Sequence, residues 1–114
     1  MPIEVPRITV AIATPFTEQG AVDVDGIGRT ASWLRSQGVG SIIPAGTTGE
    51  FAGMTAAERL TVLEATRQAA GNDCVLCATV SACAVGDVLE LARQAAASPG
   101  KPDALLLLPP YYHR

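Results

Sequence analysis

Two adjacent threonines between two glycines are the residues of this sequence best placed to do chemistry. Residues 46–50 read Gly-Thr-Thr-Gly-Glu and directly follow an apolar run. The hydroxyls of Thr47 and Thr48 each donate and accept a hydrogen bond, which suits one to hold a carboxylate and the other to pass a proton. Gly46 and Gly49 free the backbone to turn sharply and to present N–H groups to an anion. The alternative is a tight turn in which both threonines bond to their own backbone, and the motif alone does not decide between the two.

The three cysteines predict buried thiols rather than a metal or redox site. Cys74 and Cys77 have the spacing of a metal-binding or redox pair, but they lie in an apolar strand pattern. Residues three apart on a strand point to opposite faces of a sheet, which opposes joint metal binding or a disulfide. No histidine stands near them or near Cys83 to complete a zinc ligand set. We therefore expect no metal and no cofactor.

The composition predicts one soluble, cytoplasmic domain that binds neither nucleic acid nor a membrane. Hydrophobic residues make up 48% of the chain and charged residues 17%, with a net charge of −3, as in globular proteins. The eight basic residues are scattered, and an aromatic content of 4% offers few stacking platforms for nucleotides. No apolar run approaches the ~20 residues of a membrane helix, and the start of the chain lacks the pattern of a signal peptide.

Four apolar segments, separated by three helical patterns, must position these residues. The predicted strands are residues 7–13, 39–45, 74–80 and 103–109, and the predicted helices are residues 24–37, 55–70 and 86 or 87 to 97. Continuous apolar character, without alternation, predicts strands buried on both faces of a parallel sheet. Thr55 and Glu58 form a capping box that starts the second helix. The inward positions of the first helix are predicted to be Val24, Ile27, Ala31 and Leu34.

The resulting order βαβαβαβ predicts either an open doubly wound sheet or part of a (β/α)₈ barrel. A dinucleotide-binding protein carries Gly-x-Gly-x-x-Gly after its first strand, but residues 13–16 read Ala-Thr-Pro-Phe here. No strand is followed by the Gly-Lys-Ser/Thr of a P-loop. Both absences count against nucleotide binding.

Six segments, taken in order and at their spacing, resemble one known family. They are residues 13–16 (Ala-Thr-Pro-Phe), 22–23 (Val-Asp), 38–39 (Gly-Val), 46–51 (Gly-Thr-Thr-Gly-Glu-Phe), 55–59 (Thr-Ala-Ala-Glu-Arg) and 106–112 (Leu-Leu-Leu-Pro-Pro-Tyr-Tyr). Together these segments resemble the N-terminal portion of the dihydrodipicolinate synthase / N-acetylneuraminate lyase family, the class I lyases that form a Schiff base. The resemblance spans essentially the whole chain.

The resemblance implies a (β/α)₈ TIM barrel with its site at the carboxyl ends of the strands, and a lysine on the sixth strand that forms a Schiff base with pyruvate or another 2-oxo acid. It implies these roles for residues of this chain: Thr47 and Tyr112 in a catalytic proton relay, Thr48, Gly46 and Gly49 in substrate binding, and Tyr111 at a subunit interface. Because the tyrosine relay crosses between subunits in that family, a homo-oligomer is also implied.

The chain departs from the family pattern in three ways. We expect residues 1–114 to be a partial barrel, truncated after its fourth strand, because a barrel needs ~250 residues. The one lysine, Lys101, stands in a Pro/Gly turn before a strand, so the chain alone is expected to be inactive. Residues 78–83 replace a Gly-rich stretch that usually contains asparagine in the family.

Three functions remain open on the sequence. The resemblance leans toward dihydrodipicolinate synthase, which condenses pyruvate with aspartate semialdehyde in lysine biosynthesis. The alternatives are another 2-oxo acid aldolase, of the N-acetylneuraminate lyase or sugar-acid type, and a non-catalytic half-barrel that serves as an association module.

Overall fold

The order of strands and helices matches the alternating pattern predicted from the sequence. The structure, a computed structural model, describes residues 2–109. Its elements are β1 (Val10–Ala11), α1 (Val24–Ser36), β2 (Ser41–Ile43), a short 3₁₀ helix (Phe51–Gly53), α2 (Ala56–Ala70), β3 (Val75–Thr79), α3 (Val85–Ala97) and β4 (Ala104–Leu106). Four parallel strands and three helices therefore build an α/β unit.

The four strands form one parallel sheet in the order β1-β2-β3-β4, as predicted. Each crossover advances by one strand in the same direction, so right-handed connections place all three helices on one face. Helix α2 packs between α1 and α3, with its larger contact on α1. All strands run the same way, so the loops that follow them gather at one edge of the sheet.

Only the helix-covered face of the sheet is fully buried. Ile12, Ile42 and Leu76 are at most 3% exposed and pack under the helices. On the other face Ala11 is exposed and Ile43 is half-buried. The prediction that both faces are buried is wrong for residues 2–109, because no described element packs on the second face.

Local signals set the ends of the helices well. Thr55 Oγ1 accepts from the Glu58 N–H at 3.2 Å, and a Glu58 carboxylate oxygen accepts from the Thr55 N–H at 2.8 Å, which confirms the capping box. Asp23 caps α1 by accepting from the Gly26 N–H at 3.0 Å. Val24, the first residue of α1, is 45% exposed, so its predicted inward position is wrong; burial on α1 begins at Gly26 and Ile27.

The boundaries differ from those predicted in both kinds of element. Helix α1 ends at Ser36 rather than at residue 37, and α3 begins at Val85, one or two residues early. The strands contain two to five residues, fewer than the seven-residue apolar runs that contain them, because only part of each run adopts regular strand pairing. Apolar composition reports burial, whereas strand length depends on pairing.

One arginine anchors the end of the sheet opposite the strand-end loops. Arg67, in the last turn of α2, is 8% exposed and donates to the carbonyls of Gly100, Gly71, Cys74 and Lys101 at 2.7–3.0 Å. Its Nη2 also pairs with Asp103 Oδ2 at 2.7 Å, and the same oxygen accepts from the Leu76 N–H at 2.9 Å. The side chain thus joins α2 to the starts of β3 and β4.

The cysteines are only partly buried. Cys74 is buried, Cys77 is half-buried and Cys83 is exposed, and none of the three forms a disulfide. Burial raises the pKa of the Cys74 and Cys77 thiols. The prediction of a buried thiol is wrong for Cys83, which lies in the loop after β3 rather than in the strand. No helix within residues 2–109 is long and apolar enough to cross a bilayer.

Candidate functional site

The Gly-Thr-Thr-Gly-Glu segment forms a tight turn at the carboxyl end of β2. The Phe51 N–H donates to the Gly46 carbonyl at 3.2 Å, and the Glu50 N–H donates to the Thr47 carbonyl at 3.1 Å. Ala45 and Glu50 flank the turn with φ of 49° and 65°. Left-handed backbone at residues other than glycine costs roughly 1–2 kcal/mol each, so the fold holds this turn in a strained shape.

Glycine is required at position 49 because of close backbone contacts. A Cβ on Gly49 would lie 2.9 Å from Ala45 Cα and 3.1 Å from the Ile12 carbonyl oxygen. Both are backbone atoms, which have little freedom to move away. At position 46 a Cβ would lie 3.1 Å from Ile43 Cγ2 and 3.6 Å from Thr79 Oγ1. The two glycines thus allow the turn to lie directly on the ends of β1, β2 and β3.

Thr47 and Thr48 are exposed at the outer edge of this turn. Within residues 2–109, neither their hydroxyls nor their N–H groups donate a hydrogen bond to another residue. The turn is closed instead by the N–H groups of Glu50 and Phe51. Two hydroxyls and two N–H groups therefore remain available to a ligand at the strand ends.

Thr14 holds the turn from the neighbouring strand. Its hydroxyl donates to the Gly49 carbonyl at 2.7 Å, and Thr14 is 6% exposed. The Ile12 N–H also donates to the Ile43 carbonyl at 3.2 Å, which carries the pairing of β1 with β2 up to the turn. The position of the threonine pair is therefore fixed by the end of β1 as well as by β2.

Three further contacts tie the loops after β3 and β4 to the same edge. The Arg59 guanidinium lies 4.9 Å from the centroid of the Phe51 ring, and its Nη1 donates to the Ser81 carbonyl at 2.8 Å. The Ser81 hydroxyl, fully buried, accepts from the Leu108 N–H at 2.9 Å. The ends of all four strands are thus joined into one rim.

Thr79, the last residue of β3, contributes a buried hydroxyl at this rim. It is 7% exposed, and its Oγ1 has no hydrogen-bond partner in the described part of the chain. The same oxygen lies next to Gly46, at the base of the turn. A hydroxyl in this state loses its bonds to water without gaining a replacement.

Of the six predicted site residues, the structure describes four, and these four lie together. Gly46, Thr47, Thr48 and Gly49 form the turn at the rim, whereas Tyr111 and Tyr112 lie outside the described residues. Lys101 is exposed and precedes β4, at the opposite end of the sheet. No group of three or more metal-ligating side chains occurs within residues 2–109.

Three residues of the rim received no role in the sequence analysis. They are Thr14, Thr79 and Ser81. All three follow or end a strand, as Thr47 does. Their position at a carboxyl strand end is the signal that would have found them.

The sequence is similar to those of known enzymes. The sequence model of the dihydrodipicolinate synthetase family matches residues 4–114. Over 109 residues, the chain is 40% identical to 4-hydroxy-tetrahydrodipicolinate synthase of Parasynechococcus marenigrum, covering 95% of this chain and 35% of that protein.

Solved structures show the same relationship in three dimensions. The dihydrodipicolinate synthase of Aquifex aeolicus is similar with a TM-score of 0.83 at 30% identity, over 91% of this chain and 34% of that one. The N-acetylneuraminate lyase of Proteus mirabilis is similar with a TM-score of 0.84 at 30% identity, over 93% of this chain and 36% of that one. The chain thus spans about a third of the length of the relatives it matches.

Proposed function

Since the chain belongs to the dihydrodipicolinate synthetase family, we propose that it supplies the Thr47–Thr48 part of the active site of a pyruvate-dependent, Schiff-base-forming aldolase. The proposed reaction condenses pyruvate with aspartate semialdehyde in lysine biosynthesis. The observation that carries the proposal is the strained turn at the end of β2, which leaves two hydroxyls and two N–H groups available at the rim.

Carboxylate binding is the first task of this turn. The N–H groups of Thr47 and Thr48, with the Thr48 hydroxyl, are neutral donors on adjacent residues. Hydrogen bonds from such donors to a carboxylate are charge-assisted and stronger than those between neutral groups. A 2-oxo acid held by its carboxylate would then direct its carbonyl carbon away from the turn, over the uncovered face of the sheet.

Proton transfer is the second task. A threonine hydroxyl can accept one proton while it donates another, so Thr47 suits a relay between the substrate and a second hydroxyl. We assign that second hydroxyl to Tyr112, contributed by another subunit of a homo-oligomer, with Tyr111 at the interface. A relay of hydroxyls moves protons without leaving a charge in the site.

Imine formation needs an amine that loses its proton at working pH, and therefore a buried lysine. Lys101 is exposed and lies at the wrong end of the sheet for this role. The proposal thus requires a lysine other than Lys101, outside residues 1–114. As part of the same proposal we place the protein in the cytoplasm, where lysine biosynthesis supplies the substrates.

Trapping with borohydride tests the chemistry. The gene product, purified at its natural length and treated with pyruvate and sodium borohydride, should gain a covalent adduct on a lysine other than Lys101. Residues 1–114 produced alone should keep their mass. An adduct on Lys101 would count against the proposal. The absence of an adduct on either protein would also count against it, and would favour a non-catalytic half-barrel that serves as an association module.

Substitution of Thr47 tests the relay in the same gene product. Thr47→Val removes the hydroxyl with little change in shape, and the rate constant kcat should fall by about 100-fold or more. Thr47→Ser keeps a hydroxyl and should retain most of the activity. Equal kcat for the wild type and the valine variant would show that Thr47 passes no proton.

A second substrate is favoured by the similarity to N-acetylneuraminate lyase, which is as high in structure as that to the synthase. In that case the product would come from pyruvate and an amino sugar rather than aspartate semialdehyde. Parallel assays with aspartate semialdehyde and N-acetylmannosamine, with pyruvate held constant, distinguish the two.

A further inference from the structure

Thr79 has a buried hydroxyl that the fold of residues 2–109 does not use. The residue is 7% exposed, and Oγ1 has no partner in this part of the chain. A buried hydroxyl without a partner destabilises a protein, and valine would fill the same space without that cost. An unsatisfied group of this kind calls for an explanation, and a role in a functional site is one.

The location of Thr79 ties the hydroxyl to the threonine turn. Thr79 pairs with Leu106 and lies three residues beyond Leu76, which packs under the helices. Because side chains alternate along a strand, the Thr79 side chain projects from the opposite, uncovered face of the sheet. A Cβ built on Gly46 would lie 3.6 Å from Oγ1, which places the hydroxyl at the base of the turn. Alanine at position 46 would occupy the space between them.

The turn above Thr79 has two strained flanks. Ala45 and Glu50 are both left-handed, with φ of 49° and 65°. Such residues cluster at ligand clamps and switch regions, because a ligand can select a neighbouring arrangement of the backbone. A shift of the turn moves the Gly46 backbone relative to Oγ1.

We propose that Thr79 is a positioning residue of the site, whose hydroxyl gains its hydrogen bond from the Gly46–Gly49 turn only when a 2-oxo acid is bound there. The inference rests on the proposed function. Without a ligand the hydroxyl has no partner within residues 2–109, and in the bound protein it holds the turn against the carboxylate. Part of the affinity for the acid therefore comes from a residue that does not touch it.

The test compares three variants of the gene product at its natural length, with pyruvate as the titrant. Thr79→Val removes the hydroxyl, and Thr79→Ser keeps it. Thr66→Val is the matched control: Thr66 is also buried, but its hydroxyl donates to the Val62 carbonyl within α2. Calorimetric titration gives the dissociation constant of pyruvate, and thermal unfolding gives the midpoint Tm without ligand.

We expect Thr79→Val to keep or raise Tm while it weakens pyruvate binding about 3- to 10-fold, the effect of one ordinary hydrogen bond. Thr79→Ser and Thr66→Val should bind pyruvate as the wild type does. Unchanged affinity in Thr79→Val, or a Tm several degrees lower, would overturn the role of Thr79. Failure of the wild type to bind pyruvate would instead overturn the proposed function and, with it, the ligand named here.

Discussion

Gly49 shows at the scale of one residue why the motif needs its second glycine. The residue does not adopt a left-handed conformation, so conformational freedom is not the reason. The reason is steric: a Cβ would lie 3.0 Å or less from two backbone atoms of Ala45. The carbonyl of the same residue accepts the buried bond from Thr14. The ends of β1 and β2 therefore approach each other through Gly49.

We predict that Gly49→Ala lowers the free energy of unfolding by about 1–3 kcal/mol, because the added methyl group forces these backbones apart. Gly53→Ala is the matched control, since nothing lies within 4 Å of its Cβ position. Urea denaturation of both variants and the wild type measures the difference. Similar losses in the two variants would show that the contact at position 49 relaxes at little cost.

Single residues of the site were predicted to different extents. Gly46, Thr47, Thr48 and Gly49 could be placed from local sequence, because a glycine-bounded turn after an apolar strand identifies a strand end. The unsatisfied hydroxyl of Thr79 could not be predicted, because it depends on how the end of β3 packs beside Gly46, more than 30 residues earlier in the chain. A threonine at the end of a strand has no sequence feature that reveals whether its hydroxyl has a partner.

At the scale of elements, α1 and α2 each carry in their last turn an arginine that anchors the chain in a similar way. Arg35, in the last turn of α1, donates to the carbonyls of Ala70 and Val39 and pairs with Asp73 at 2.7 Å. Arg67 repeats the arrangement one unit later, with Asp103 as its partner. The two pairs differ in burial, because the Asp73 side chain is 81% exposed and that of Asp103 is 29% exposed.

We predict that Arg67→Met costs about 3–5 kcal/mol of stability, because it leaves the Asp103 carboxylate without its cation and several carbonyls without a donor. Arg93→Met is the control, since Arg93 is exposed and pairs with Glu90 only at 3.8 Å, and it should change little. Chemical denaturation monitored by circular dichroism compares the two variants. A loss no larger than that of Arg93→Met would show that water replaces these bonds.

Elements were predicted best where the signal is local. The capping box at Thr55 and Glu58 marks the start of α2, because both partners lie within one turn. Whether the face of the sheet opposite the helices is buried could not be predicted from the strand sequences. Their composition is the same whether or not another element covers that face. Val24 fits the periodicity of α1 but is its first residue and is 45% exposed, whereas Ile27, three residues later, is fully buried.

At the scale of the whole molecule, residues 2–109 leave a sheet with two open edges and one uncovered face. Strands β1 and β4 are the edges. Leu105 and Leu107, in and just after β4, are 47% and 54% exposed. An open strand with exposed leucines presents both unpaired backbone groups and apolar surface, the combination that favours pairing with another chain.

We predict that residues 1–114, produced alone, self-associate through the β4 edge and the uncovered face. Sedimentation velocity at increasing concentration should show dimers or larger species in excess over monomer. The double variant Leu105→Lys and Leu107→Lys should shift the distribution toward monomer, because lysines on an edge strand oppose the approach of a second strand. Trp33→Lys is the control: Trp33 is 62% exposed on α1, which connects β1 to β2 and does not neighbour β4, so its loss should leave association through β4 unchanged. A wild-type chain that stays monomeric at high concentration would mean that the β4 edge and the uncovered face are protected. If Trp33→Lys shifted the distribution toward monomer as much as the double variant does, the contact would lie on the helices instead.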